Sequence, residues 1–375
     1  MKVRLLARLV LAAVLLTPVA DATAQIKVRV GWCARTISAA TTPFAIATKL
    51  GWFKNEGIEV ELIPLPGSTD CTTNVAIREL MFALPSVEPL AVVRPQGVKA
   101  KIYYTAYQGN IYGIAVPVDS PIKKIEDLKG KSIGVISMAS AGVHIARALV
   151  TAHGMNPGTD VNVVVAGEGA QTAALVRQKQ VDALSQFDTQ YAMIENAGVK
   201  LRVLETKDID RYPSNGLLAL EETLRNRRKE AIAVARGYAM GTIFAITNPE
   251  AGVQILYEVF PQTRPTGKDE ATAISDDAKV LRARAVNWRL DKAGVKRWGE
   301  NSVANYAAYV DFLLKQGIIK QRVEAGDLGD ERADRRDQQV STRPGSRPRP
   351  KPTRSSRARC IRGTTFRCRP TVARA

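Results

Sequence analysis

Residues 26–63 read IKVRVGWCARTISAATTPFAIATKLGWFKNEGIEVELI, and their patterning decides the fold class. Ile26 to Gly31 alternates apolar and polar side chains and then breaks at glycine, the pattern of a strand with one buried face. Pro43 stands where a helix can start without losing a hydrogen bond, Phe44 to Leu50 continues as helix, and Gly51 ends it. Ile58 to Ile63 then forms a second strand, so the segment is a strand-helix-strand unit.

Working outward, the unit recurs. Strands are expected at Ile133–Ile136, Val161–Val165, Ala183–Ser185 and Leu201–Leu204, with helices at Ala141–Ala152, Ala170–Lys179 and Asp188–Asn196 between them. Strands alternating with helices of about ten residues predict parallel sheets covered on both faces. Two strand-helix sets span about 26–107 and 113–204. After Tyr212 the strands are expected to stop, and Ile232, Ala235, Ala239, Ile243 and Ile246 form the apolar stripe of a helix. Arg225, Arg227, Arg228 and Arg236 fall on its solvated face. Ser302 to Gln316 is a last helix burying Val303, Tyr306, Val310 and Leu313 and ending at Gly317.

The 375 residues carry a net charge of +18, but the ends hold most of it: +10 in residues 329–375 and +2 in residues 1–24 leave the body at +6. Basic charge is therefore no sign of a nucleic-acid surface in the body. Lys2, Arg4 and Arg8 precede the apolar run Leu9–Leu16 and the small-x-small triplet Ala22-Thr23-Ala24, which together read as a signal peptide cleaved after Ala24. The tail from Gly329 has thirteen arginines, one lysine and few large apolar residues. It is expected to be disordered, and its mix of Arg, Pro, Ser, Gly and Ala is what GC-rich DNA yields when read out of frame. Two histidines and four scattered cysteines offer no metal-ligand spacing, so neither a metal nor a cofactor is expected.

In open parallel sheets small molecules bind beyond the carboxyl ends of the strands, where helix N-termini converge. Here those loops are small and polar: residues 33–43 after the first strand, residues 67–74 after the second, and residues 136–142 leading into the Ala141 helix. The candidate ligand-binding residues are Arg35, Thr41, Thr42, Ser68, Thr69, Ser86, Tyr107, Ser137, Ser140, Gln186 and Asp188. The alternative for Thr42, Ser68, Asp70 and Ser140 is that they are simply helix caps. Trp32, Tyr107, Tyr112 and Phe187 lie near strand ends, either as pocket walls or as core. Cys33 and Cys71 follow neighbouring strands in a chain bound for an oxidising compartment, so a disulfide between them is expected, two separately buried thiols being the alternative.

Thr42-Pro43 with Ala47, and Gly51 to Leu62 (GWFKNEGIEVEL), resemble the opening of nitrate/sulfonate/taurine-type ABC-transporter solute-binding proteins. Asp119 to Lys123, Asp127 to Val135 and Val181 to Ala183 resemble later motifs of the same family, so the likeness covers about 26–320. It implies an α/β chain with the two-lobed periplasmic-binding-protein fold (type II), parallel-sheet lobes joined by two crossover hinge segments near Tyr107–Val116 and Glu205–Pro213. Lobe 1 would comprise residues 25–110 and 212–328, and lobe 2 residues 111–211.

The resemblance further implies a periplasmic, monomeric carrier that takes a small-molecule ligand to an inner-membrane ABC permease and does not bind nucleic acid. The family's usual residues are replaced at Arg78–Ser86 and Ser185–Asp188, so ligand identity does not carry over. A small anion such as a sulfonate, nitrate or taurine is the first expectation. Relatives that carry pyrimidine precursors of thiamine make a neutral or aromatic heterocycle the alternative. The rival class is an enzyme, with Cys33 and His144 or His153 as a thiol hydrolase; nothing in the spacing brings these together, and no enzyme is expected.

Overall fold

The computed structural model describes residues 24–207 and 209–329. The signal peptide and the basic tail, save Ala24 and Gly329, therefore lie outside the described residues. The strands are β1 (Ile26–Trp32), β2 (Ile58–Pro64), β3 (Phe82–Ala83), β4 (Ala100–Thr105), β5 (Ala115–Pro117), β6 (Lys131–Val135), β7 (Val161–Val165), β8 (Ala183–Leu184), β9 (Leu201–Val203) and β10 (Gly216–Leu220). The longer helices are α1 (Thr42–Lys49), α2 (Ser68–Ala76), α3 (Val87–Val93), α4 (Ala141–Ala152), α5 (Gly169–Arg177), α6 (Asp188–Asn196), α7 (Arg228–Thr247), α8 (Pro249–Val259), α9 (Glu270–Trp288) and α10 (Val303–Lys315).

Two five-stranded sheets result, in the orders β2-β1-β3-β10-β4 and β7-β6-β8-β5-β9. The alternation at Ile26–Gly31 behaves as a half-buried strand should: Val28 and Val30 are fully buried while Lys27 and Arg29 are exposed. β1 pairs in parallel with β2, Ile26 opposite Ile58, and with β3 on its other side. In the second sheet β6 lies parallel between β7 and β8.

The sheets are not wholly parallel. β10 runs antiparallel to β3 and β4, and β5 runs antiparallel to β8 and β9. Each sheet receives one strand directly from the other lobe rather than through a helix, and that strand enters from the opposite end. β10 also corrects the expectation that strands stop after Tyr212. Its sequence, GLLAL, is a short apolar run without alternation because the strand is central and covered on both faces.

Two crossovers, residues 106–114 and 204–215, connect the sheets side by side. The Ala106 and Tyr107 amides donate to the Asn215 carbonyl at 2.9 and 3.0 Å, and the Ser214 amide donates back to Tyr107 at 3.1 Å. This is the hinge pattern that the resemblance implies.

The stripe of α7 is a second correction. Ala235 and Ala239 are buried as expected, but Ile232 and Ile243 are half-buried and Ile246 is exposed, while Ala231, Val234, Tyr238, Thr242 and Ala245 complete the buried face. The packed face is the small one because α1 approaches it closely: a Cβ on Gly241 would sit 2.0 Å from the Pro43 carbonyl oxygen. Tyr238 fills the remaining space against Phe44, ring centroids 4.9 Å apart, with Phe44 in turn against Phe53 at 6.4 Å. In α10, Tyr306, Val310 and Leu313 are buried as expected and Val303 is exposed. No described helix is long and apolar enough to cross a membrane.

Candidate functional site

The loops at the carboxyl ends of β1, β2 and β6 meet across the space between the two sheets. The Ser137 hydroxyl donates to the Pro66 carbonyl at 2.7 Å, and the Thr69 amide donates to the Ala139 carbonyl at 3.1 Å. Gly67 packs so tightly here that a Cβ would lie 2.4 Å from the Ala139 oxygen. On the other side Glu168, after β7, accepts the Arg35 amide at 3.0 Å and the Thr36 hydroxyl at 2.5 Å. These bonds join the two lobes in a closed arrangement.

Beneath this rim lies a buried ion pair. Arg284 on α9 is 1% exposed and stands over the Tyr107 ring, its guanidinium carbon 4.0 Å from the centroid. Its Nε and Nη2 reach Asp188, the first residue of α6, at 2.7 to 3.0 Å, and Asn287 donates to the same carboxylate at 2.9 Å. Burial alone would push the guanidinium down, but the Asp188 charge outweighs it and holds Arg284 above its ordinary value. The pair also ties the lobes, since α9 packs against α6 and Asn196 donates to the Asp276 carbonyl at 2.9 Å.

A second buried group sits at the start of α3. Glu88 is 1% exposed and its Oε1 accepts the Tyr309 hydroxyl. Burial pushes its carboxyl above the usual range, against the opposing influence of the Ser86 and Tyr309 hydroxyls. Tyr309 is held by a stacked Tyr212, centroids 4.7 Å apart and planes within 17°. Tyr112, edge-on to Phe187 at 5.6 Å, places its hydroxyl beside Ser68. Tyr107 and Tyr112 arrive on the first crossover and Tyr212 on the second, so the hinge segments bring buried aromatic rings between the sheets. Glu88 Oε2, Ser86 Oγ, Gln186 Oε1, Asn110 Nδ2 and Trp288 Nε1 are buried without a hydrogen-bond partner. Buried polar atoms are nearly always paired, so each of these is a candidate point of attachment for a bound molecule.

The structure distributes the sequence candidates unevenly. Arg35 is exposed and offers its backbone to Glu168. Thr41 and Thr42 are buried and bond back to the Ser38 and Ala39 carbonyls within their own turn. Thr69 is exposed on the closed rim beside Ser137, and Ser140 caps α4 by accepting the Gly142 amide at 3.1 Å. Ser68 accepts the Ser86 amide at 3.1 Å. Gln186 donates to the Gly167 carbonyl at 3.2 Å. Ser68, Ser86, Tyr107 and Gln186 are thus buried, and Asp188 is half-buried against Arg284.

Glu88, Arg284, Tyr212 and Tyr309 were not among the sequence candidates, although two carried a signal. Glu88 is the sole charge in residues 80–93 (LMFALPSVEPLAVV), and Arg284 lies on the buried stripe between Leu281 and Trp288 at helical spacing. Cys33 and Cys71 form a disulfide, their Cα atoms 5.8 Å apart. Cys33 is therefore no nucleophile, and the thiol-hydrolase constellation does not exist in this state.

Residues 38–252 match the family model described as NMT1/THI5 like. A curated relative, the riboflavin-binding protein RibY of Chloroflexus aurantiacus, is 23% identical over 289 residues, covering 75% of this chain and 79% of that protein. A solved structure from Bordetella bronchiseptica RB50 superimposes with a TM-score of 0.63 at 19% identity, over 82% of this chain and 96% of the other. The alkanesulfonate-binding protein SsuA of Xanthomonas axonopodis pv. citri, solved with MOPS bound, gives 0.60 at 15% identity over 81% and 97%. These likenesses place the fold among periplasmic-binding-protein structures.

Proposed function

The chain belongs to the NMT1/THI5-like family, and on that premise we propose that it is the solute-binding component of an ABC importer, capturing a planar heteroaromatic solute between its lobes and handing it to a permease. It would act in the periplasm after loss of residues 1–24, with lobe 1 formed by 25–110 and 212–328 and lobe 2 by 111–211. The charge balance of the cleft carries the choice of ligand. Its buried cation, Arg284, is already matched by Asp188, whereas its buried carboxyl, Glu88, has no cationic partner. A sulfonate or nitrate would find no unmatched cation there to offset the loss of its own hydration, since Arg284 is taken by Asp188 and burial favours the uncharged form of Glu88. The remaining walls are the rings of Tyr107, Tyr112, Phe187, Tyr212 and Tyr309, which suit a flat apolar face with a polar edge. The riboflavin named for the Chloroflexus relative is a solute of this kind.

A thermal-shift screen of riboflavin, lumichrome, pyrimidines, taurine, an alkanesulfonate and nitrate tests the reading. At a hundredfold excess over Kd a true ligand adds about 2.7 kcal/mol to stability. Shifts are expected from the heteroaromatic compounds. A shift from the sulfonate or nitrate alone would defeat the proposal.

The rim supplies a companion test. Gly67→Val puts a side chain where even a Cβ meets the Ala139 backbone at 2.4 Å, so the lobes cannot close fully. Because Gly67 is in extended backbone with φ 175°, its own lobe is not strained by the change. Binding of the best heteroaromatic ligand is expected to weaken at least tenfold with the melting point of the free protein nearly unchanged, as measured by titration calorimetry. An affinity within twofold of wild type would show that closure plays no part.

A further inference from the structure

We propose that Glu88 and Ser86 together read the edge of the bound ring, Glu88 Oε2 accepting a ring N–H and the Ser86 hydroxyl donating to an adjacent carbonyl, so that the solute belongs to the lactam or imide heterocycles. This rests on the reading that a heteroaromatic solute enters the cleft, and it names which edge chemistry that solute carries. Both groups are buried, 1% and 0% exposed; the Ser86 hydroxyl lies beside the Glu88 carboxyl, and neither Glu88 Oε2 nor Ser86 Oγ bonds to any group beyond this pair.

A buried carboxyl left half-satisfied is costly, and chains without a use for one place an apolar residue there. The neighbouring groups hold it in position. Tyr309 fixes Oε1, Tyr212 stacked on Tyr309 fixes that ring, and the Ser86 backbone is anchored by its amide to Ser68. What remains is one acceptor and one hydroxyl, side by side at the first turn of α3. Adjacent acceptor and donor are complementary to an N–H beside a C=O, the pattern of a pyrimidinedione edge.

The test uses riboflavin and its N3-methyl derivative, which lacks the imide N–H but keeps the flat ring. Fluorescence quenching should show wild type binding riboflavin at least tenfold tighter than the methylated compound. Glu88→Ala should weaken riboflavin at least tenfold and bind both compounds equally, whereas Glu88→Gln, which keeps an acceptor oxygen, should retain most of the affinity and some discrimination. Circular dichroism melts of the variants check folding, and the comparison of the two flavins on wild type needs no variant. Equal binding of both flavins by wild type, or riboflavin affinity within twofold in Glu88→Ala, overturns this inference while leaving the heteroaromatic reading intact. Binding of neither flavin nor any other heteroaromatic probe overturns both.

Discussion

Arg284→Met is expected to lower the stability of the free protein by about 3–5 kcal/mol, because it removes one partner of a buried ion pair and leaves the other uncompensated. Asp188 would keep the Asn287 amide and the Thr189 backbone amide, but its charge would face the Tyr107 and Phe187 rings with no cation. At roughly 2 °C per kcal/mol for a chain of this size, the melting point should fall by about 6–10 °C. Asp188→Leu should be comparably harmful, since it strands the guanidinium. The double variant should recover much of the loss, because replacing both charges with apolar groups of similar volume removes the desolvation cost together with the attraction. The pair spans the lobes, so each single variant should also favour the open form and weaken ligand binding. Calorimetric melts of the two singles and the double decide it: a fall below about 2 °C in both singles would mean that the pair is not buried in solution.

Much of the fold was legible because its rules are local. The helices Ala141–Ala152 and Asp188–Asn196 and the strand Val161–Val165 run to the same residues as their sequence readings, since each is bounded by a capping residue, a glycine or a change of period. The misreadings were tertiary in origin. β10 looks like no half-buried strand because it has no exposed face, and its antiparallel sense follows from the hinge. Of the expected α7 stripe, Ala235 and Ala239 are buried and the three isoleucines are not, because the chain keeps alanine and glycine where another backbone approaches within contact of Gly241.

The site divided along the same line. Ser68, Ser86, Tyr107, Gln186 and Asp188 follow strand ends, a position the fold class dictates, and the fold leaves them buried or half-buried. Thr41, Thr42 and Ser140 follow strand ends too, but their hydroxyls satisfy their own helix starts, which a sequence cannot distinguish from serving a ligand. Arg284 and Tyr309 come from helices more than a hundred residues beyond the first crossover, and only the fold brings them beside Tyr107 and Glu88. Glu88 left a trace as the sole charge in an apolar stretch and Arg284 as a charge on a buried helical stripe, and neither trace says what its partner would be.

Breaking the Cys33–Cys71 bridge should have an effect of similar size by a different route. The bond joins the loop after β1 to α2 across a sequence separation of 38, and in the chain-entropy account that cross-link is worth about 4 kcal/mol, chiefly by restricting the unfolded chain. Cys71 is fully buried, so the pair is best replaced by alanine, which leaves no hydroxyl to satisfy. Reduction of the wild-type protein should reproduce the result without any substitution. A fall in melting point of about 8 °C is expected in both cases. The bridge has a second consequence at the rim. Arg35 and Thr36, which bond to Glu168, lie two and three residues beyond Cys33, and Thr69, which bonds to Ala139, lies two residues before Cys71. Tying these segments together lowers the ordering that closure must impose, so the alanine variant should also bind its solute several-fold more weakly, through slower closure or faster release. Differential scanning calorimetry with and without reductant, beside titration of the same samples, separates the two effects. A melting point that moves by less than about 2 °C would refute the stabilising role, and unchanged affinity in a variant that does melt earlier would confine the bridge to stability alone.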